Sequence, residues 1–178
     1  MSESTDGGPG AGWLWGQWSR LALRVAVATI IADQAHKWWM ILGYQIRHGE
    51  RVYVAPFMDW VFVLNKGVSY SLLSLDSQTG QYFLAVFSVV VSVGLWVWLA
   101  RMGTSRLMAA SLGLIIGGAI GNAIDRITLG GVADFFSLHA FGYYWYVFNI
   151  ADVAIVAGVI GLLYDSISTS RNAAANRD

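Results

Sequence analysis

Four long apolar runs, over residues 21–42, 82–100, 107–124 and 147–163, constrain this chain more than any other feature. Each has the roughly 17–25 residues that a helix needs to cross a hydrocarbon core. Lipid leaves unpaired backbone groups without water, so such runs fold as helices if they lie in a bilayer. The second and third runs carry no charge. The fourth is broken only by Asp152, and the first by Arg24, Asp33, His36 and Lys37. The chain is 56% hydrophobic and 12% charged, against about 25% charged in soluble domains. A water-soluble fold of 178 residues could not hide that much apolar surface. One integral membrane domain spanning residues 1–178 is therefore expected.

An even number of spans puts both chain ends on one side. The short link between the second and third runs carries Arg101 and Arg106 and no acid, and the tails add Arg20, Arg171 and Arg177. On the other side Arg47, Arg51, Lys66 and Arg126 are spread through longer segments. Positive residues in short loops mark the cytoplasmic face, so both termini are expected there. Trp38, Trp39, Trp96 and Trp98 stand near span ends, where indoles suit the interface. Residues 1–18 read as a disordered cytoplasmic tail, opening with the small, polar MSESTDGGPG, and residues 166–178 as a second tail. No cleavable leader pattern precedes the first span, which reads as an uncleaved anchor. Residues 44–80 fall outside the membrane. Within them RVYVAPFMDWVFVLN (51–65) is rich in β-branched and aromatic residues, and Pro56 divides it into two short strands.

Ionisable groups inside spans are costly and therefore functional candidates. Asp33 and Lys37, four apart, share a helix face and can neutralise each other. Gly113, Gly117 and Gly121 give the third span a smooth packing face. Asn122, Asp125 and Arg126 follow at its outer end, where Arg126 can pair with a neighbouring carboxylate. Asn149 and Asp152 are three apart at the outer start of the fourth span. Between these spans GGVADFF reads as a glycine-led turn carrying Asp134. Asp125, Asp134 and Asp152 thus gather at one end of the bundle. Two close carboxylates share a proton, and such a pair can hydrolyse an amide, the ionised member activating water and the protonated member polarising the carbonyl. Spacing alone does not say which two meet. A proton or cation relay would string its acids through the full depth of the membrane, and a purely structural subunit leaves the loop acid unexplained.

Other chemistries lack their motifs. There is no cysteine, no HExxH, no GxxxxGK[ST] and no GxSxG. His36, His48 and His139 make no ligand pattern, so neither metal nor cofactor is expected. Zero formal net charge and the lack of a basic stripe argue against nucleic acid.

Five segments in order, DQAHK around Asp33, NKGVSYS from Asn65, GGAIGNAIDR ending at Arg126, GGVADF around Asp134 and FNIAD ending at Asp152, resemble the lipoprotein signal peptidase (signal peptidase II) family of bacterial inner membranes. The resemblance covers roughly residues 20–165. It implies an all-α membrane protein: a four-transmembrane-helix bundle with a small extracytoplasmic β-cradle and a short, mobile periplasmic helix within residues 44–80. It implies an aspartyl endopeptidase that cuts diacylglyceryl-modified prolipoproteins just before the lipidated cysteine. The family's catalytic pair falls on Asp134 and Asp152. Its substrate-binding or supporting residues fall on Asp33, Lys37, Asn65, Gly67, Asn122, Asp125, Arg126 and Asn149. Membrane lipid and a globomycin-type inhibitor are the further partners implied. Tyr70 before Ser71, Ser69 and Val153 depart from the family's common residues, but none removes a charged or amide group.

Overall fold

The computed structural model describes residues 13–68, 73–74 and 77–175. Four long helices, α1 (Ser19–Trp38), α2 (Gln78–Met102), α3 (Arg106–Thr128) and α4 (Ile150–Ala175), make up most of it. Among the described residues three of them, α2, α3 and α4, are long and apolar enough to cross a membrane. On α2 the side chains of Phe83, Val86, Phe87, Val90 and Val93 all face outward, a surface that suits hydrocarbon and not water. α1 carries Arg20, Arg24, Asp33 and Lys37 and ends in a π-helical turn, Trp39–Gly43.

α3 is the hub, packing against α1, α2 and α4. Its glycines allow this. A Cβ added at Gly117 would lie 2.7 Å from the Ala26 carbonyl oxygen, and one at Gly113 2.7 Å from that of Ala22, so the α1 and α3 backbones meet with no side chain between them. At one end of the bundle Ala22, Leu99, Met108, Ala109 and Leu112 form a buried cluster. Serines begin two helices: Ser77 Oγ accepts from the Gly80 N–H at 3.1 Å and Ser105 Oγ from the Met108 N–H at 2.9 Å, satisfying otherwise orphaned donors.

The other end of the bundle carries a four-stranded antiparallel sheet in the order β1-β2-β5-β6. β1 (Arg51–Ala55) and β2 (Met58–Asn65) are the two strands expected around Pro56. Strands β5 (Val132–Ala140) and β6 (Tyr143–Phe148) were not expected. Asp134 therefore lies in a strand rather than a turn, and half of the cradle comes from outside residues 44–80. The fourth helix begins at Ile150, so Val147 and Phe148, assigned to the fourth apolar run, belong to β6. Phe141 (φ 52°) and Gly142 (φ 82°) make the β5–β6 hairpin turn, both left-handed as the twist of a two-residue hairpin requires.

The sheet sits on the end of α1. Met40, Ile46, Ala133 and Phe135 form a second buried cluster, and full burial of Phe135 contributes about 1.5–3 kcal/mol. His36 stacks on Phe136 at 4.8 Å between ring centroids. Arg51 ties the strands together, reaching Asp59 on β2 at 2.9 Å and Ser137 on β5 at 3.2 Å, with its guanidinium 4.6 Å from the centre of the Tyr144 ring on β6. That guanidinium holds the Asp59 carboxyl below its usual range.

After Asn65 come two short paired strands, β3 (Gly67–Val68) and β4 (Leu73–Ser74). The short periplasmic helix expected in this stretch falls on positions outside the described residues. One tail assignment changes in its described part. Trp13–Trp18 fold back onto α2: Trp15 and Trp96 lie 5.8 Å apart, and Trp96 Nε1 donates to the Leu14 carbonyl at 3.0 Å. α4 continues helically to Ala175, through most of the expected second tail.

Replacing Gly117 by Val should strain the α1–α3 contact by about 1–3 kcal/mol, seen as a lower thermal midpoint in detergent micelles. Gly94→Ala, where an added Cβ meets nothing within 4 Å, should not lower it. Equal midpoints for the two variants would contradict the close packing described.

Candidate active site

Lys37 is 1% exposed, and a buried ammonium needs an acceptor for each of its three N–H groups. It has them: Asp33 Oδ2 at 2.7 Å, one α1 turn away, Asp125 Oδ2 at 2.6 Å and Asn122 Oδ1 at 3.3 Å, both on α3. Neutral donors solvate the remaining carboxylate lone pairs. The Ala151 N–H donates to Asp33 Oδ1 at 3.0 Å and the Ala133 N–H to Asp125 Oδ2 at 3.1 Å. Gln34 Nε2 donates to Asp125 Oδ1 at 2.9 Å and to Asp33 Oδ2 at 3.2 Å. One cluster thus fixes α1, α3, the start of β5 and the start of α4 to each other.

Two asparagines carry the network onward. Asn122 Nδ2 donates to Asp152 Oδ1 at 2.9 Å. Asn149 Nδ2 donates to Asn122 Oδ1 at 3.2 Å and to Asp134 Oδ1 at 2.6 Å. Asn149 and Asp152 also form a reciprocal cap: the Asp152 N–H donates to Asn149 Oδ1 at 2.9 Å, and the Asn149 N–H to Asp152 Oδ2 at 3.3 Å. Their three-residue spacing is that of a capping box, so the same atoms that begin α4 hold its acid in place.

Asp134 receives a second donor from β2. Val63 pairs opposite Asp134 and Asn65 opposite Val132, which makes Asn65 and Asp134 diagonal neighbours on one face of the sheet. Asn65 Nδ2 donates to Asp134 Oδ2 at 3.2 Å, and Asn65 Oδ1 accepts from the Gly67 N–H at 3.1 Å. Asp134 is 2% exposed. Burial first, and the charge of nearby Asp152 second, push its carboxyl up to about 7, against the hydrogen bonds from Asn65 and Asn149.

All ten residues singled out in the sequence lie at this end of the bundle, and nine are joined by the contacts just given. Arg126 attaches differently from expectation. Its Nη1 donates to the Asn122 carbonyl at 3.3 Å, and among the described residues it forms no ion pair within 4 Å. Gln34 was not foreseen, because a glutamine next to an acid in a helix carries no signal until α3 brings Asp125 against it. The backbone donors of Ala133 and Ala151 were invisible for the same reason.

The fold and this cluster define a membrane protein that concentrates buried carboxylates and amides at one end of an apolar helix bundle. A family model described as signal peptidase (SPase) II matches residues 25–168. The lipoprotein signal peptidase of Methylocella silvestris is 48% identical over 153 residues, covering 86% of this chain and 89% of the relative. That of Nitrobacter hamburgensis is 50% identical over 151 residues, covering 83% and 92%. A bacterial membrane enzyme solved by the in meso method at 2.3 Å superposes with a TM-score of 0.73 at 28% identity, covering 85% of this chain and 90% of that one. The chain belongs to the signal peptidase II family: it is an aspartic-type protease that removes the signal peptide of prolipoproteins.

Lys37→Met should leave two buried carboxylates without their cation, a loss of about 3–5 kcal/mol. The folded yield in detergent and the thermal midpoint should both drop sharply. An unchanged midpoint would remove Lys37 from the centre of the structure.

Proposed function

We propose that Asp134 and Asp152 are the catalytic pair of this peptidase, working at the outer face of a bacterial inner membrane. The observation that carries this reading is the hydrogen-bond chain Asp134–Asn149–Asn122–Asp152, which holds two carboxyl groups in one electrostatic environment. Asp134, pushed up to about 7, is suited to keep the shared proton, and Asp152 to act as the base. Asp152 takes a proton from water as the water oxygen adds to the scissile carbonyl carbon, while the proton of Asp134 passes to the carbonyl oxygen. Collapse of the tetrahedral intermediate breaks the C–N bond. The proton held by Asp152 goes to the leaving amine of the lipidated cysteine, and Asp134 recovers a proton from the departing gem-diol. Asp33, Lys37, Asn122, Asp125 and Asn149 position the pair, and Asn65, Gly67 and Arg126 border the substrate.

α1 is the fourth span in this reading, its charged outer half neutralised within the protein. Both termini and the Arg101–Arg106 link then face the cytoplasm. The substrate is itself a membrane helix, so a site at the interface leaves the diacylglyceryl chains in lipid while the scissile bond meets water. A globomycin-type peptide would compete at the same place. The chain acts as one integral membrane domain, and strands β1 and β2 of its outer segment stand at the same end of the bundle as the site, β2 pairing with the strand that carries Asp134.

In detergent with a diacylated prolipoprotein, the parent should cleave, and Asp134→Asn and Asp152→Asn should each lose nearly all activity. Full activity in either variant sinks the pairing and makes Asp125 the replacement. The pH profile gives a separate check. The proton on Asp134 is present below about 7 and lost above it, so kcat/KM should fall as pH rises through that value. A flat profile from about pH 6 to 9 would contradict the assignment of Asp134 as proton holder.

A further inference from the structure

We propose that Gln81 is a positioning residue for the peptidase reaction, setting the orientation of the Asn65 amide that donates to Asp134. Gln81 lies in the first turn of α2, is 1% exposed, and plays no part in the charged cluster. Its Nε2 donates to the Lys66 carbonyl oxygen at 2.6 Å. That carbonyl and the Gly67 N–H are the two ends of a single peptide plane, which is rigid. The N–H end donates to Asn65 Oδ1 at 3.1 Å, and Asn65 Nδ2 donates to Asp134 Oδ2 at 3.2 Å. A continuous path therefore runs from Gln81 through one peptide group and one side-chain amide to the carboxyl group.

The path matters because an amide has two unlike ends. Asn65 is exposed, so little packing resists a half-turn of its side chain. In the flipped state Oδ1 would face Asp134 Oδ2, acceptor against acceptor, and the carboxyl would lose one of its two side-chain donors. The Gly67 N–H selects the useful orientation only while its own peptide plane is held. Gln81 holds that plane from a different element, and so couples the start of α2 to the chemistry on β5. Asn65 also draws the Asp134 carboxyl downward, which gives the coupling a signature that packing alone would not produce.

This inference rests on the reading of Asp134 as catalytic, and one set of variants separates the two. Gln81→Met keeps the length and loses the donor. It should reduce kcat by about tenfold to a hundredfold, the range for a mispositioned group, with KM little changed. The alkaline fall in kcat/KM should move to higher pH in Gln81→Met and in Asn65→Ala alike. The double variant should be no slower than Asn65→Ala alone, since both act through one bond. Parent-like kcat and pH profile in Gln81→Met, with Asn65→Ala impaired, overturn the proposal. So do losses that multiply in the double variant with an unmoved alkaline fall, which would mark a separate structural role. Should Gln81→Met not fold, Gln81→Leu, which also lacks any donor, is judged by the same outcomes. Retained activity in Asp134→Asn would instead overturn the catalytic reading itself, whatever Gln81 does.

Discussion

One buried ammonium holds this structure together. Lys37 donates its three N–H groups to Asp33, Asp125 and Asn122, and so joins α1 to two positions on α3. Desolvating a charge costs several kcal/mol, and the cost is offset only when every donor and acceptor is matched. The matching comes from four directions: Gln34 on α1, Asn122 on α3, the Ala133 N–H on β5 and the Ala151 N–H on α4. The cluster is thus less a stabilising pair than a geometric specification. α1, α3, α4 and the sheet have few relative placements that satisfy all of these bonds together.

The aspartates of the proposed pair hang from that specification by amides. Asn122 touches Lys37 through its oxygen and Asp152 through its nitrogen. Asn149 serves as helix cap, partner of Asn122 and donor to Asp134. Amides suit this task because each presents donors and an acceptor without adding charge. The two carboxyl groups of the proposed pair therefore stand beside a charged cluster, joined to it through neutral amides. The smooth glycine face of α3 belongs to the same design: only where α1 approaches α3 without intervening side chains can Lys37 reach two α3 residues.

Local patterns in the sequence revealed what local physics controls. The Asp33–Lys37 spacing pointed to an intrahelical ion pair, and the glycine repeat to a packing face. The strands flanking Pro56 were legible from their β-branched and aromatic residues. The three-residue spacing of Asn149 and Asp152 was noticed as a shared face, though it works as a capping box. Residues whose role depends on chain separation were not legible. Gln34 becomes functional only against Asp125, 91 residues away. Strands β5 and β6 were hidden because Val147 and Phe148 read, across Asn149, as the start of the fourth apolar run, and the hairpin turn is Phe141–Gly142 rather than an asparagine–glycine pair. The choice of Asp134 and Asp152 over Asp125 came from family resemblance. In the structure Asp125 differs from those two by its ion pair with Lys37, whereas Asp134 and Asp152 accept only from amide groups.

The central claim is that Asp134 holds the proton of the proposed pair, raised by burial and by the charge of Asp152. Its most direct test is the protonation of Asp134 itself, followed by carboxyl infrared bands or by carbon-13 resonances of labelled aspartate in the detergent-solubilised protein. The account predicts that Asp134 loses its proton near pH 7 in the parent. In Asp152→Asn, where the neighbouring charge is gone and burial remains, the transition should move to lower pH without reaching the ordinary carboxylate range. An Asp134 that titrates like an ordinary carboxylate, unmoved by the Asp152 substitution, would contradict it.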